Sequence, residues 1–167
     1  MTKTTLRLLR ILDAEKEKLF QYASYRLRNI DDVEDVLQNL YVKILENPAK
    51  FDCVVNKRAY LYRIVSNQCS DISKRNANVD FPGDGAFPDL AIGSLEVENF
   101  DEEFRMINHL LAILPEDQSE AIRLRHHSQL SFQEIADIME IPLPTAKARY
   151  RYGIEKLRDI LRKLNIL

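Results

Sequence analysis

Tyr60, Arg63, Asn67, Ser70 and Lys74 recur at helical spacing, so a helix predicted over about Lys57 to Arg75 places them on one face. That stretch carries five basic residues, Lys57, Arg58, Arg63, Lys74 and Arg75, against Asp71 alone. Cations neutralise phosphates, rings accept stacked bases and amides read base edges, which is the chemistry that single-stranded nucleic acid needs. A solvated charged face has the same composition, and this stretch alone does not separate the two. A second basic run is more specific. Lys147, Arg149, Arg151, Lys156, Arg158, Arg162 and Lys163 stand against only Glu155 and Asp159. Near its start, Thr145, Lys147, Ala148, Arg149, Arg151 and Tyr152 are left facing outward, where Arg and Lys can reach guanine edges or phosphates of a duplex. An amphipathic helix with a basic outer face is the plainer alternative.

Bond-making chemistry has no comparable nominee. Cys53 and Cys69 are too few for a disulfide framework or a metal site, and they read as buried or half-buried thiols of a reducing compartment. His109, His126 and His127 lack a partner cluster, and four glycines are too few for a Gly-rich phosphate loop. No nucleophile and base arrangement presents itself, so no catalytic residue, metal or cofactor is expected.

The elements that must position the two basic faces are all helical. A first helix is predicted from about Ala14 to Arg28, with Leu19, Tyr22, Ala23 and Leu27 inward; Thr4 to Leu12 either extends it or packs separately. A second starts near Asp31, where Asp31 and Glu34 have capping-box spacing. Its stripe is Val33, Val36, Leu37, Leu40, Tyr41 and Ile44, and Pro48 ends it. The opposite face carries Asp35, Gln38, Asn39, Val42 and Glu46. Val42 there is either an isolated exposed valine or the apolar centre of a docking face with an acidic and amide rim. The third helix, over Lys57 to Arg75, buries Leu61, Ile64, Val65, Cys69 and Ile72. Val97, Phe100, Phe104, Ile107, Leu111 and Leu114 mark a fourth, stopped by Pro115. A fifth runs from Glu116 to His126 and buries Ala121, Ile122 and Leu124. Ser131-Phe132-Gln133-Glu134 is a capping box opening a sixth, with Phe132, Ile135, Ala136 and Ile138 as its apolar side. After the break Glu140 to Pro144, a last helix has Thr145 in its first turn and Tyr150, Ile154, Leu157 and Leu161 as its buried stripe. Two helices across so tight a turn make a helix-turn-helix.

Charge and length complete this organisation. The 167 residues suit one domain or two small ones. Residues 1–80 carry 14 basic and 11 acidic side chains, residues 81–104 none and 7, and residues 105–167 carry 10 and 8. The net charge of −2 therefore hides two mildly basic halves flanking an acidic strip. From Asn76 to Ser94 that strip holds three of the four glycines and two prolines without a helical stripe, and it reads as an inter-domain tether. No window is apolar for long enough to span a membrane. Lys3, Arg7 and Arg10 interrupt the leucines of the N-terminus, which argues against a signal peptide and for a cytoplasmic chain.

Taken together, the segments resemble a bacterial RNA polymerase sigma factor of the sigma-70 family, in its minimal extracytoplasmic-function (ECF) form. Asp31-Asp32-Val33-Glu34-Asp35-Val36-Leu37-Gln38-Asn39-Leu40-Tyr41 resembles the family's polymerase-binding helix, and Tyr60-Leu61-Tyr62-Arg63-Ile64-Val65-Ser66-Asn67 its promoter-melting helix. Leu114-Pro115, Glu134-Ile135-Ala136, Thr145-Ala146-Lys147-Ala148-Arg149 and Glu155-Lys156-Leu157-Arg158 resemble region four. The resemblance implies an all-α fold of two small helical domains: region two over 1–78, an acidic linker over 79–98, and a region-four helix-turn-helix over 99–167. It implies no enzyme activity and three partners: core RNA polymerase, promoter DNA and an anti-sigma protein. Asp35, Gln38, Asn39 and Val42 would grip the polymerase. Lys57, Arg58, Tyr60, Arg63, Asn67 and Lys74 would lie on minus-ten DNA, with a base flipped from the nontemplate strand. Thr145, Lys147, Ala148, Arg149, Arg151 and Tyr152 would face the minus-thirty-five element. Three positions depart from the family: Tyr60 stands where Trp is common, Glu140 where the turn usually has Gly, and Ala146 and Ala148 where Val and Ser are common. A conventional dimeric helix-turn-helix regulator would account for residues 116–163 but leave the faces at Asp35–Val42 and Tyr60–Asn67 idle.

Overall fold

A computed structural model describes residues 2–77, 102–126 and 128–166, with residue 77 and residues 102–105 described as backbone only. Seven α-helices and one 3-10 turn occur among them. The chain divides into two compact units, Met1–Val97 and Glu98–Leu167. The acidic tether over 79–98 lies outside the described residues, as do Val97 and Phe100 of the predicted fourth helix.

The first unit is three helices around one core. Helix α1 (Lys3–Arg26) is continuous, so the Thr4 to Leu12 stretch extends it rather than packing separately. Thr2 caps it, its side chain accepting from the Thr5 amide at 3.1 Å. Leu8, Leu12, Leu19, Tyr22 and Ala23 line its fully buried side. Helix α2 (Ile30–Glu46) begins one residue earlier than its acidic first turn suggests. Asn29 is the cap and accepts from the Asp31 amide at 2.9 Å, so the predicted Asp31–Glu34 capping box does not form. Asp31 and Asp32 sit instead inside the first turn, where the helix dipole favours acids. Val33, Val36, Leu40 and Ile44 are buried as expected, while Leu37 and Tyr41 are half-buried at the stripe's edge. The chain then turns through a 3-10 segment (Pro48–Phe51) that drops Phe51 into the core.

Helix α3 (Lys57–Ala77) starts at Asn56, whose side chain accepts from the Ala59 amide at 2.9 Å. Its buried side is Leu61, Tyr62, Val65 and Cys69, which corrects the predicted stripe: Ile64 and Ile72 are only half-buried and Tyr62 takes the centre. Burial of a phenol needs a partner for its hydroxyl. Glu15 of α1 supplies it, accepting from Tyr62 at 2.8 Å with one oxygen and from Arg58 Nε at 2.8 Å with the other. Tyr62 also meets Tyr22 edge-on, 6.0 Å between ring centroids. Each large apolar side chain fully buried here contributes about 1.5–3 kcal/mol. Cys69 is buried but Cys53, in the loop after the 3-10 turn, is exposed, contrary to the expected shielding of both thiols.

The second unit holds the helix-turn-helix. Helix α4 (Glu102–Ile113) leads through buried Leu111 and Leu114 to Pro115. Pro115 opens helix α5 (Glu116–His126), its carbonyl accepting from the Gln118 and Ser119 amides at 3.0 Å. Ala121, Ile122 and Leu124 are buried as predicted. Helix α6 (Phe132–Met139) is capped reciprocally: the Glu134 amide donates to Ser131 Oγ and the Ser131 amide to Glu134 Oε1, both at 3.1 Å. Helix α7 (Leu143–Lys163) follows after three residues. Its predicted stripe, Tyr150, Ile154, Leu157 and Leu161, is half-buried rather than buried. Ala146 and Gly153 are the buried residues of α7. Length contributes at the C-terminal end: 21 residues of helix span about 31 Å, while α5 and α6, at 11 and 8 residues, span about 16 and 12 Å.

Candidate functional site

On α2 the residues opposite the core stripe are all at the surface: Asp35, Gln38, Asn39, Val42 and Glu46. Val42 is 46% exposed, and Leu45, outside the predicted face, is 53% exposed. Leu45 follows Val42 at i+3, and that spacing was the signal for it. The face is thus two apolar side chains bordered by carboxylates and amides. Its edge carries one perturbed group. Partial burial first, then the Asp13 charge and its hydrogen bond, raise the Tyr41 phenol above the ordinary 10.0; the hydroxyl donates to Asp13 Oδ1 at 3.4 Å.

The predicted face of α3 separates into two groups. Asn67 and Lys74 are exposed, and Tyr60 and Arg63 half-buried, at positions that share a side of the helix. Tyr60 is held edge-on against Phe51, 5.5 Å between centroids, so its ring orientation is set by the 3-10 turn. Ser70 belongs to the packing, accepting from Arg26 Nη2 of α1 at 2.8 Å. Lys57 and Arg58 are turned to the protein as well. Lys57 Nζ donates to the Val54 carbonyl at 3.0 Å, and Arg58 pairs with Glu15 while lying over the Tyr62 ring.

In the helix-turn-helix, Glu140 ends α6 in the left-handed conformation, φ 57° and ψ 45°. The Ile141 amide then returns to the Ala136 carbonyl at 3.0 Å and reverses the chain into α7. Pro142 caps α7 without a side-chain bond, and Pro144 sits in the first turn where its missing N–H costs nothing. Of the six outward residues, Lys147, Arg151 and Tyr152 are exposed and Thr145, Ala148 and Arg149 half-buried. The Arg151 guanidinium lies 5.1 Å from the Tyr152 ring centroid. Arg149 is not free: its Nε is 3.4 Å from Asp117 Oδ2 on α5. The start of α7 is braced from behind by Tyr150, whose hydroxyl is 2.7 Å from His126 Nε2 and whose ring meets Phe132 edge-on. At Gly153 helix α7 comes so close to α5 that a Cβ would lie 2.7 Å from Ile122 Cδ1. No cluster of three or more His, Cys, Asp or Glu suited to a metal occurs among the described residues, and none of their helices is long and apolar enough to cross a membrane.

Residues 11–79 match the model of the family described as Sigma-70 region 2, and residues 110–159 that of Sigma-70, region 4. The chain belongs to the sigma-70 family of RNA polymerase sigma factors, in its ECF branch. It is 30% identical over 171 residues to the ECF RNA polymerase sigma factor SigW of Bacillus subtilis, covering 92% of this chain and 88% of that one. It is also 30% identical over 134 residues to the ECF RNA polymerase sigma factor EcfG of Rhodopseudomonas palustris, covering 80% and 73%. Among solved structures it resembles the sigma factor RpoE of Bartonella quintana, determined in complex with the anti-sigma factor NepR: TM-score 0.64, 26% identity, 94% of this chain and 95% of that one. CnrH, solved with the cytosolic domain of CnrY, shares the fold at TM-score 0.70, 21% identity and coverage of 93% and 88%.

Proposed function

We propose that this ECF sigma factor works as a dissociable, non-enzymatic specificity subunit. It docks core RNA polymerase through α2, holds strand-separated minus-ten DNA on α3, and reads the duplex minus-thirty-five element with α7. Carrying this reading is the solvent side of α2. Two large apolar residues, Val42 and Leu45, stand exposed on a helix whose other side already has a complete core, and Asp35, Gln38 and Asn39 surround them. An apolar centre within a polar rim is the composition of a protein interface.

Under this reading Tyr60, Arg63, Asn67 and Lys74 are the residues of α3 that meet unpaired bases and phosphates. Lys57 and Arg58 also fix α3 to the loop and to α1, so they meet DNA only with the donors those bonds leave over. On α7, Lys147, Arg149, Arg151 and Tyr152 enter the major groove, with Thr145 and Ala148 at its margin. The mechanism is binding energy alone: capture of bases and phosphates offsets the cost of melting. An anti-sigma protein that covers these faces would silence the factor; the structural relative RpoE was determined in complex with one, NepR. The chain then acts in the cytoplasm.

The decisive experiment is run-off transcription with purified core enzyme. Core plus this protein is expected to yield transcripts from a restricted set of promoters, and core alone none. Folded protein that neither binds core nor changes its products would overturn the reading, whereas duplex operator binding without transcription would favour a dimeric regulator.

A further inference from the structure

We propose that Asp117 is a positioning residue for promoter reading, orienting the Arg149 guanidinium so that its outer edge grips one base pair; this rests on the assignment of α7 to duplex DNA. Asp117 lies in the first turn of α5, and its two oxygens do different work. Oδ1 accepts from the Gln118 amide at 2.9 Å, while Oδ2 faces Arg149 Nε at 3.4 Å. The first contact, with the α5 dipole, holds the carboxylate in place. The second presents that fixed anion to a side chain with large rotamer freedom. Pairing through Nε selects one swing of the Arg and leaves Nη1 and Nη2 for a bidentate grip on guanine O6 and N7. Arg149 and Asp117 side chains are 30% and 48% exposed, so the pair contributes little to the fold. An acid on the DNA-facing side also repels phosphates and weakens binding to every sequence.

The test uses the full chain assembled with core polymerase and a pool of randomised duplex DNA, with sequencing of the retained fraction. Arg149→Ala is expected to flatten the preference at one base pair by about tenfold. Asp117→Asn keeps an acceptor for the Gln118 amide but loses the charge; it should lower the preference at that same base pair about threefold. Asp117→Glu should restore part of it, and adding Asp117→Ala to Arg149→Ala should change that preference no further. If Asp117→Asn tightens binding to all sequences alike and leaves every base preference intact, the carboxylate only repels phosphates and the proposal fails. If Arg149→Ala also leaves every preference unchanged, Arg149 does not read a base and the proposal fails with it. Failure of the complete holoenzyme to enrich any sequence would sink the sigma reading itself.

Discussion

Glu140 carries a Cβ through the left-handed turn between α6 and α7, at φ 57°. That conformation costs a residue with a Cβ roughly 1–2 kcal/mol, and glycine's greater freedom in the unfolded chain gives back roughly 0.5–1 kcal/mol. Glu140→Gly is therefore expected to stabilise the C-terminal unit by about 0.5–1 kcal/mol. A lowered unfolding midpoint for that unit, by calorimetry on the full chain, would contradict it. Tyr41 makes a second residue-level prediction. Its folded pKa lies above the ordinary 10.0, so the neutral phenol contributes stability that is fully present below pH 10 and is lost as pH rises through the folded value. Asp13→Asn removes the neighbouring charge and should bring the Tyr41 titration back toward 10, as read by NMR of ring-labelled tyrosine. Ionisation of Tyr41 at or below 10 in the unaltered protein would refute the assignment. The family resemblance pointed to Glu140, because the turn usually has Gly at that position. The Tyr41–Asp13 pair was illegible, since it joins α1 to α2.

At the scale of the element, α5 and α7 approach each other at Gly153. Gly153→Ala gains about 1 kcal/mol of helix propensity, which offsets the shift forced on Ile122. Gly153→Leu has no such compensation, and overpacking of this kind costs about 1–3 kcal/mol. Denaturant unfolding of the full chain should show the Leu variant clearly weakened and the Ala variant near the parent; a Leu variant as stable as the parent would mean the helices separate freely. Helix α2 makes the complementary case, a surface whose alteration spares the fold. Asp35→Arg with Gln38→Arg changes two exposed residues opposite Val33, Val36 and Leu40. Helical circular dichroism should stay unchanged while pull-down of core polymerase is lost, and retained pull-down would remove α2 from the docking surface. Helix α5 is legible end to end, from Glu116 to His126, because Pro115 before it and the apolar spacing within it mark it. The start of α2 was misread because Asn29 and Asp31 are both good caps, and only the backbone's path out of α1 selects between them.

At the scale of the whole molecule, promoter opening and promoter location are expected to be separable. Arg63→Ala with Asn67→Ala should impair strand separation, seen by permanganate footprinting, by tenfold or more on the order of two lost nucleic-acid contacts. Duplex binding should change far less. Lys147→Ala with Arg151→Ala should do the reverse, weakening upstream contact and lowering the salt slope of binding by about two. Equal losses on both measures from either pair would contradict a division of labour between the two units.

Local chemistry by itself determined the all-helical class, the two units and the polar faces of α2, α3 and α7. The helices and their faces depend on periodicity and capping within a few neighbouring residues, which a helix displays regardless of what it packs against, and the two units on the composition of the strip between them. Tertiary structure alone decided which polar side chains the packing engages. Ser70 carries the same spacing signal as Arg63 and Asn67, and Lys57 and Arg58 the same charge as Arg63, yet Arg26, the Val54 carbonyl and Glu15 engage those three. Arg149 likewise resembles Arg151 until α5 brings Asp117 beside it. A hydrogen-bonding side chain is committed by whichever partner packing brings within about 3 Å, and partners distant in the chain leave no trace in local sequence.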